Sequence, residues 1–86
     1  MKKLIKFYAA WCAPCRSYAN TWDEVTPDYA DQIELHNIDI DKDTTGLANE
    51  YQVRSIPTTV LVREDGSTVK KVGALSKEDL TELILS

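Results

Sequence analysis

Leu4-Ile5-Lys6-Phe7-Tyr8-Ala9-Ala10-Trp11-Cys12-Ala13-Pro14-Cys15 is the stretch whose reading decides the fold. Leu4 to Ala9 is short and apolar apart from Lys6, the composition of a buried first strand. A helix is expected to open at the cysteines, because Cys15, Tyr18, Ala19 and Trp22 recur at i, i+3, i+4 and i+7 and mark one buried face. A loop that ends a strand and opens a helix suits a reactive thiol. The first helical turn has unpaired N–H groups and the positive end of the helix dipole, and both favour thiolate over thiol.

Cys12, at the helix entry, is expected to be the more exposed sulfur, and Cys15, one turn further in, the more buried. Cys12 would then attack a target disulfide as thiolate, and Cys15 would attack Cys12 to release the reduced target. Pro14 fits the first helical turn, where its missing N–H costs nothing. Trp11 offers an apolar wall beside the exposed sulfur. Two reduced core cysteines at helical spacing would be the blander reading, and the Trp, the Pro and the strand-to-helix context argue against it.

The rest of the chain narrows the class. Its 86 residues make one domain, 1–86, of ordinary apolar content. A net charge of −4 speaks against nucleic acid as a main partner. A bridge between cysteines this close removes little unfolded-chain entropy, so a structural staple is a poor use of the pair. Two Cys and the lone His36 fall short of the usual zinc ligand set, so no metal is expected. The opening Met1-Lys2-Lys3-Leu4-Ile5-Lys6 resembles a signal segment, but Lys6 interrupts it and cleavage would remove the cysteine loop. No run approaches the roughly 18 apolar residues of a membrane span. The expected setting is cytoplasmic and thiol-reducing, where a CxxC pair means redox or metal chemistry.

Further along, Pro27 either kinks the first helix or opens a short second one capped by Thr26. Ile33 to Ile40 reads as a polar strand suited to a sheet edge. Asp43 or Thr44 is a candidate cap for a short helix to about Tyr51. Thr58 to Val62 and Thr68 to Val72 are strands joined across Glu64-Asp65-Gly66-Ser67, whose Asp-Gly is a hairpin signal. Ser76-Lys77-Glu78-Asp79 reads as a capping box ahead of Leu80, Leu83 and Ile84. The order is βαβ-α-ββα: an α/β fold with a four-stranded mixed sheet, flanked by three helices, with a helix closing each half. Pro57, at the start of a strand, reads by itself as an ordinary trans strand-opener.

Taken together, Trp11-Cys12-Ala13-Pro14-Cys15, Arg54-Ser55-Ile56-Pro57-Thr58 and Lys71-Val72-Gly73-Ala74-Leu75-Ser76 resemble the thioredoxin family, in its order and spacing, from about Leu4 to Leu85. The resemblance implies the thioredoxin fold in a minimal form and a protein-disulfide reductase working by dithiol–disulfide exchange. It makes Cys12 the nucleophile, Cys15 the resolving thiol and Pro57 a cis-proline facing the disulfide. The backbone of Ile56 would pair with a bound substrate strand. Trp11, Ala13, Pro14, Ile56, Pro57, Gly73 and Ala74 would form the docking surface. It further implies a monomer with no bound cofactor beyond the redox-active disulfide, recharged from NADPH by a thioredoxin reductase. Its substrates would be protein disulfides, ribonucleotide reductase among the family-level candidates.

The chain departs from the family pattern in four places. It begins where the family's second strand begins, so the strand and helix that would flank Ile33–Ile40 are not in it. Ala13 replaces the commoner Gly. Asn20 stands where the family has a helix-kinking proline, with Pro27 two turns on. Lys6 stands where the family has a buried Asp, and the partner position falls at or near Asn37. A Lys in low dielectric could act as a base, could favour the thiolate if charged, or could merely snorkel to solvent.

Two other functions fit the fold. A glutaredoxin-like, glutathione-dependent reductase would suit the short chain, but that family usually carries Cys-Pro-Tyr-Cys and an acidic residue after its glycine motif. A binding or accessory module could use the same surface without redox chemistry. A metal or iron–sulfur scaffold formed by two copies is the remotest reading.

Overall fold

The computed structural model describes residues 1–86. Strand β1 (Lys2–Tyr8) leads through the cysteine loop into helix α1 (Ala13–Val25) and a 3-10 turn (Thr26–Tyr29). Strand β2 (Ile33–Asp39), helix α2 (Leu47–Glu50), strands β3 (Thr58–Val62) and β4 (Thr68–Val72), and helix α3 (Lys77–Leu85) follow. The four strands form one mixed sheet in the order β2-β1-β3-β4. β1 runs parallel to β2 and antiparallel to β3, and β3 is antiparallel to β4.

Residues in a strand alternate between its faces, so β1, inside the sheet, feeds two cores. Leu4 joins Tyr18, Trp22 and Val25 of α1 and Leu80, Leu83 and Ile84 of α3 on one face. Ile5 and Phe7 pack with Val60 on the other, under Leu47, Ala48 and Tyr51. The two longer helices therefore share a face, rather than each closing its own half of the fold. The opposite face is left to α2 and its flanking loops. Leu4, Leu61 and Leu80 are fully buried, a stabilisation of about 2 kcal/mol each relative to exposure.

Several boundaries differ from the sequence expectation for physical reasons. β1 starts two residues earlier than Leu4, at Lys2, whose ammonium donates to the Ile84 and Ser86 carbonyls at the end of α3 (3.1 and 3.0 Å). It stops before Ala9, whose carbonyl accepts instead from the Cys12 amide in the turn (3.2 Å). α1 ends at Val25 because Pro27 cannot donate to the ladder, and the chain tightens into the 3-10 turn. Thr26 does not cap that turn; its hydroxyl donates back to the Trp22 carbonyl (2.8 Å). β2 is the edge strand its polarity suggested and ends at Asp39, although the Ile40 amide still reaches the Tyr8 carbonyl (2.9 Å). α2 is a single turn whose N-cap is Gly46, at φ +78°, and neither Asp43 nor Thr44. Asp43 accepts amides of Thr45 and Ala48 and braces the turn from outside.

β3 and β4 span the residues expected of them. Gly66, at φ +88°, makes the reversal between them. The Ser76 hydroxyl accepts the Asp79 amide (3.1 Å) and caps α3. No helix is long and apolar enough to cross a membrane.

Candidate active site

The cysteines sit where the parallel β1–β2 pair ends, the place where α/β sheets hold their sites. Cys12 is the N-cap of α1, in extended conformation, and Pro14 lies in the first turn. Cys12 and Cys15 are joined in a disulfide, with Cα atoms 5.2 Å apart. The Cys15 amide donates to Cys12 Sγ at 3.2 Å. That geometry gives any charge left on Cys12 after reduction a hydrogen bond at a helix N-terminus, both of which stabilise thiolate.

The two sulfurs differ less in exposure than the sequence suggested. Cys12 is 5 % exposed and Cys15 4 %. In the closed disulfide both belong to a small cluster with Ala9, against which Tyr8, Ile40 and Ile56 pack. The asymmetry lies in their neighbours. Cys12 Sγ is 3.9 Å from the Ile56 carbonyl, whereas Cys15 lines a cleft on the α1 side that also contains Lys6.

Trp11 and Ile56 flank the disulfide, and a third segment is tied to the residue after Ile56. Trp11 is 67 % exposed, and its indole Nε1 donates to Asp41 at 2.8 Å. The Ile56–Pro57 peptide is cis, with Pro57 buried and Ile56 half-buried. The Gly73 amide, at φ +98°, donates to the Pro57 carbonyl at 2.8 Å, which ties the turn after β4 to the proline. Ala13, Pro14 and Ala74 are exposed.

Lys6 points to the α1 face and is only 6 % exposed. Its ammonium lies over the rings of Trp22 (4.8 Å to the centroid), Tyr8 and Tyr18 (5.8 Å each). Burial pulls its pKa down, opposed by the carboxylate of Asp23. Beside it, the Tyr18 hydroxyl is paired with Thr59 at 2.8 Å; burial pushes the phenol up to about 12, against the lowering effect of that bond. Asn37 stands opposite Lys6 in the β1–β2 register and lines the same cleft.

Asp41 and Ile40 are site neighbours that motif reading passed over. The parallel register carried the signal: Tyr8 pairs with Asp39, so residues just past both strands must meet. No three His, Cys, Asp or Glu side chains come together in a way that could hold a metal ion.

A thioredoxin family model matches residues 1–86. The chain is 38 % identical over 81 residues to the chloroplastic M-type thioredoxin of Zea mays, covering 94 % of this chain and 48 % of that protein. It is 39 % identical over 74 residues to a thioredoxin of Griffithsia pacifica, covering 86 % and 67 %. It thus spans about half the length of the maize relative. Among solved structures, malaria parasite thioredoxin-2 superposes with a TM-score of 0.85 at 29 % identity, covering 99 % of this chain and 82 % of that one. Each of these relatives is a thioredoxin, the sheet order and helix placement superpose on a thioredoxin structure, and the disulfide closes a CxxC loop at a helix entry. The chain belongs to the thioredoxin family, disulfide oxidoreductases that work by dithiol–disulfide exchange.

Proposed function

We propose that this chain is a thioredoxin-like protein-disulfide reductase in which Cys12 attacks and Cys15 resolves. The observation that carries the assignment is the hydrogen bond from the Cys15 amide to Cys12 Sγ at the N-cap of α1. A thiolate on Cys12 attacks one sulfur of the target disulfide, forms a mixed disulfide and expels the other target sulfur as thiolate. Cys15, deprotonated, then attacks Cys12 Sγ, closes the Cys12–Cys15 disulfide and expels the second target sulfur. Two electrons pass from the dithiol to the target, and the expelled thiolates take up protons from solvent.

Docking is assigned to Trp11, Ala13, Pro14, Ile56, Pro57, Gly73 and Ala74. In support, Cys12 Sγ faces the Ile56 carbonyl, and the Gly73–Pro57 hydrogen bond holds two of the docking segments together. An extended target segment would pair with the Ile56 backbone beside the sulfur it presents. Reduction by NADPH through a thioredoxin reductase, electron carriage in a thiol-reducing cytoplasm, and enzymes such as ribonucleotide reductase as targets complete the reading. It rests for these partners on the family alone.

Insulin reduction tests it. NADPH with thioredoxin reductase should sustain turnover, and glutathione should sustain it poorly; the reverse preference would establish a glutaredoxin-like protein. Cys15→Ser should stop turnover and accumulate a covalent mixed disulfide on Cys12. A Cys15→Ser variant that turns over normally, or traps nothing, would overturn the division of labour.

A further inference from the structure

The Lys6 side chain is mostly buried but its ammonium opens onto a cleft; it has no partner in the reaction as described, yet it shares that cleft with the resolving cysteine. That cleft has a volume of about 470 Å³ and is lined by Lys6, Tyr8, Cys15, Arg16, Asp23 and Asn37 among others. Lys6 forms no salt bridge, and no buried acceptor is left waiting for it. Three aromatic rings stand around its Nζ instead. Such rings attract a cation through their quadrupoles while offering it no acceptor to neutralise it.

We propose that Lys6 is an electrostatic positioning residue: a fixed positive charge under Cys15 that favours the Cys15 thiolate and so speeds resolution of the mixed disulfide. The inference rests on the assignment of Cys15 as resolving thiol.

The charges facing Lys6 are few. From α1 come Asp23 and Arg16, the latter exposed with its guanidinium bonded to the Ala10 carbonyl (3.0 Å). The titratable groups are Cys15, Tyr8 and Tyr18, and a phenol raised to about 12 stays neutral in Tyr18 through the working range. β2 contributes Asn37, and β3 contributes Thr59, which is opposite Lys6 in register and bonded to Tyr18; both are uncharged. Asp23 is therefore the one carboxylate lining the cleft that Lys6 and Cys15 share, where its charge opposes that of Lys6, and it is exposed. Burial lowers the Lys6 pKa and Asp23 partly counters it, while the three rings around Nζ favour the ammonium form. As a cation it has no free pair with which to take the Cys15 proton. Water entering the cleft from solvent is the acceptor, and the charge acts by stabilising what remains.

The test is the pH dependence of resolution, followed as release of a target thiol from a preformed Cys12 mixed disulfide, with thiolate absorbance as a second readout. Lys6→Met should raise the Cys15 pKa by about one unit, the low end of the effect of a neighbouring charge. The thiolate fraction at neutral pH then falls about tenfold, and the rate roughly threefold, because a more basic thiolate is more nucleophilic. Lys6→Arg should restore the wild-type profile, which a purely structural role would not require. Asp23→Asn, an exposed change, should shift the Cys15 pKa downward and settles the matter even if Lys6→Met folds poorly. Superimposable pH profiles for wild type and Lys6→Met, or for wild type and Asp23→Asn, would overturn the inference. If wild-type protein fails to reduce insulin at all, the reductase assignment itself has failed.

Discussion

The Gly73 amide donates to the carbonyl of Pro57 at 2.8 Å, joining the turn after β4 to the proline that follows Ile56, whose own carbonyl faces Cys12 Sγ. The bond needs Gly73 at φ +98°, a conformation that a side chain strains even though nothing lies within 4 Å of where its Cβ would be. Under the proposed docking assignment, docking and local backbone geometry are coupled through this one residue.

Gly73→Ala should therefore cost roughly 1–2 kcal/mol of stability from backbone conformation alone. Urea denaturation measures that loss. Under the docking assignment, kcat/KM for a protein disulfide should fall several-fold, while the reaction of Cys12 with a small-molecule disulfide stays close to wild type. Equal loss with both substrates would separate Gly73 from docking.

Tyr18 predicts an alkaline limit to stability. Its folded pKa, about 12, exceeds the ordinary 10.0. The stability it contributes is complete below the unfolded pKa and declines as pH rises from there toward the folded value, since only the unfolded chain has then released the proton. The decline should reach about 2 kcal/mol across that window. Tyr18→Phe should lack that share of it, while losing about 1 kcal/mol at neutral pH because the Thr59 hydroxyl forfeits its buried partner. The difference between the two denaturation curves, followed from pH 7 upward, is the measurement.

Asp41→Ala should free the Trp11 indole without unsettling the core, since the bond between them is exposed. The expected stability change is within about 0.5 kcal/mol. A more mobile Trp11 should raise KM for protein disulfides a few-fold and lower the tryptophan fluorescence anisotropy of the site.

Ser76→Ala removes the hydroxyl that accepts the Asp79 amide at the start of α3. It should cost about 1 kcal/mol in thermal or urea unfolding. Insulin reduction at 25 °C should be unchanged, because α3 packs on the core through Leu80, Leu83 and Ile84 and does not touch the cysteine cluster.

What could be read without the fold was whatever a few neighbouring residues decide. The β-branched runs Thr58–Val62 and Thr68–Val72 around Asp65-Gly66 specified a hairpin to the residue, and Ser76 announced the start of α3. Trp11-Cys12-Ala13-Pro14-Cys15 announced a thiol loop at a helix entry, and the polarity of Ile33–Ile40 announced an edge strand. The chemistry and the element order follow from these. Packing decided the rest. Gly46 displaced Asp43 as cap because the chain had to turn back over Ile5 and Phe7, and α1 and α3 came to lie on one face because their apolar stripes share Leu4 and Leu61. The near-equal burial of Cys12 and Cys15, the contact between Trp11 and Asp41, and the aromatic surroundings of Lys6 all join residues far apart in the chain. Propensity and turn chemistry act over a few residues, whereas register, burial and local charge exist only once distant segments pack together.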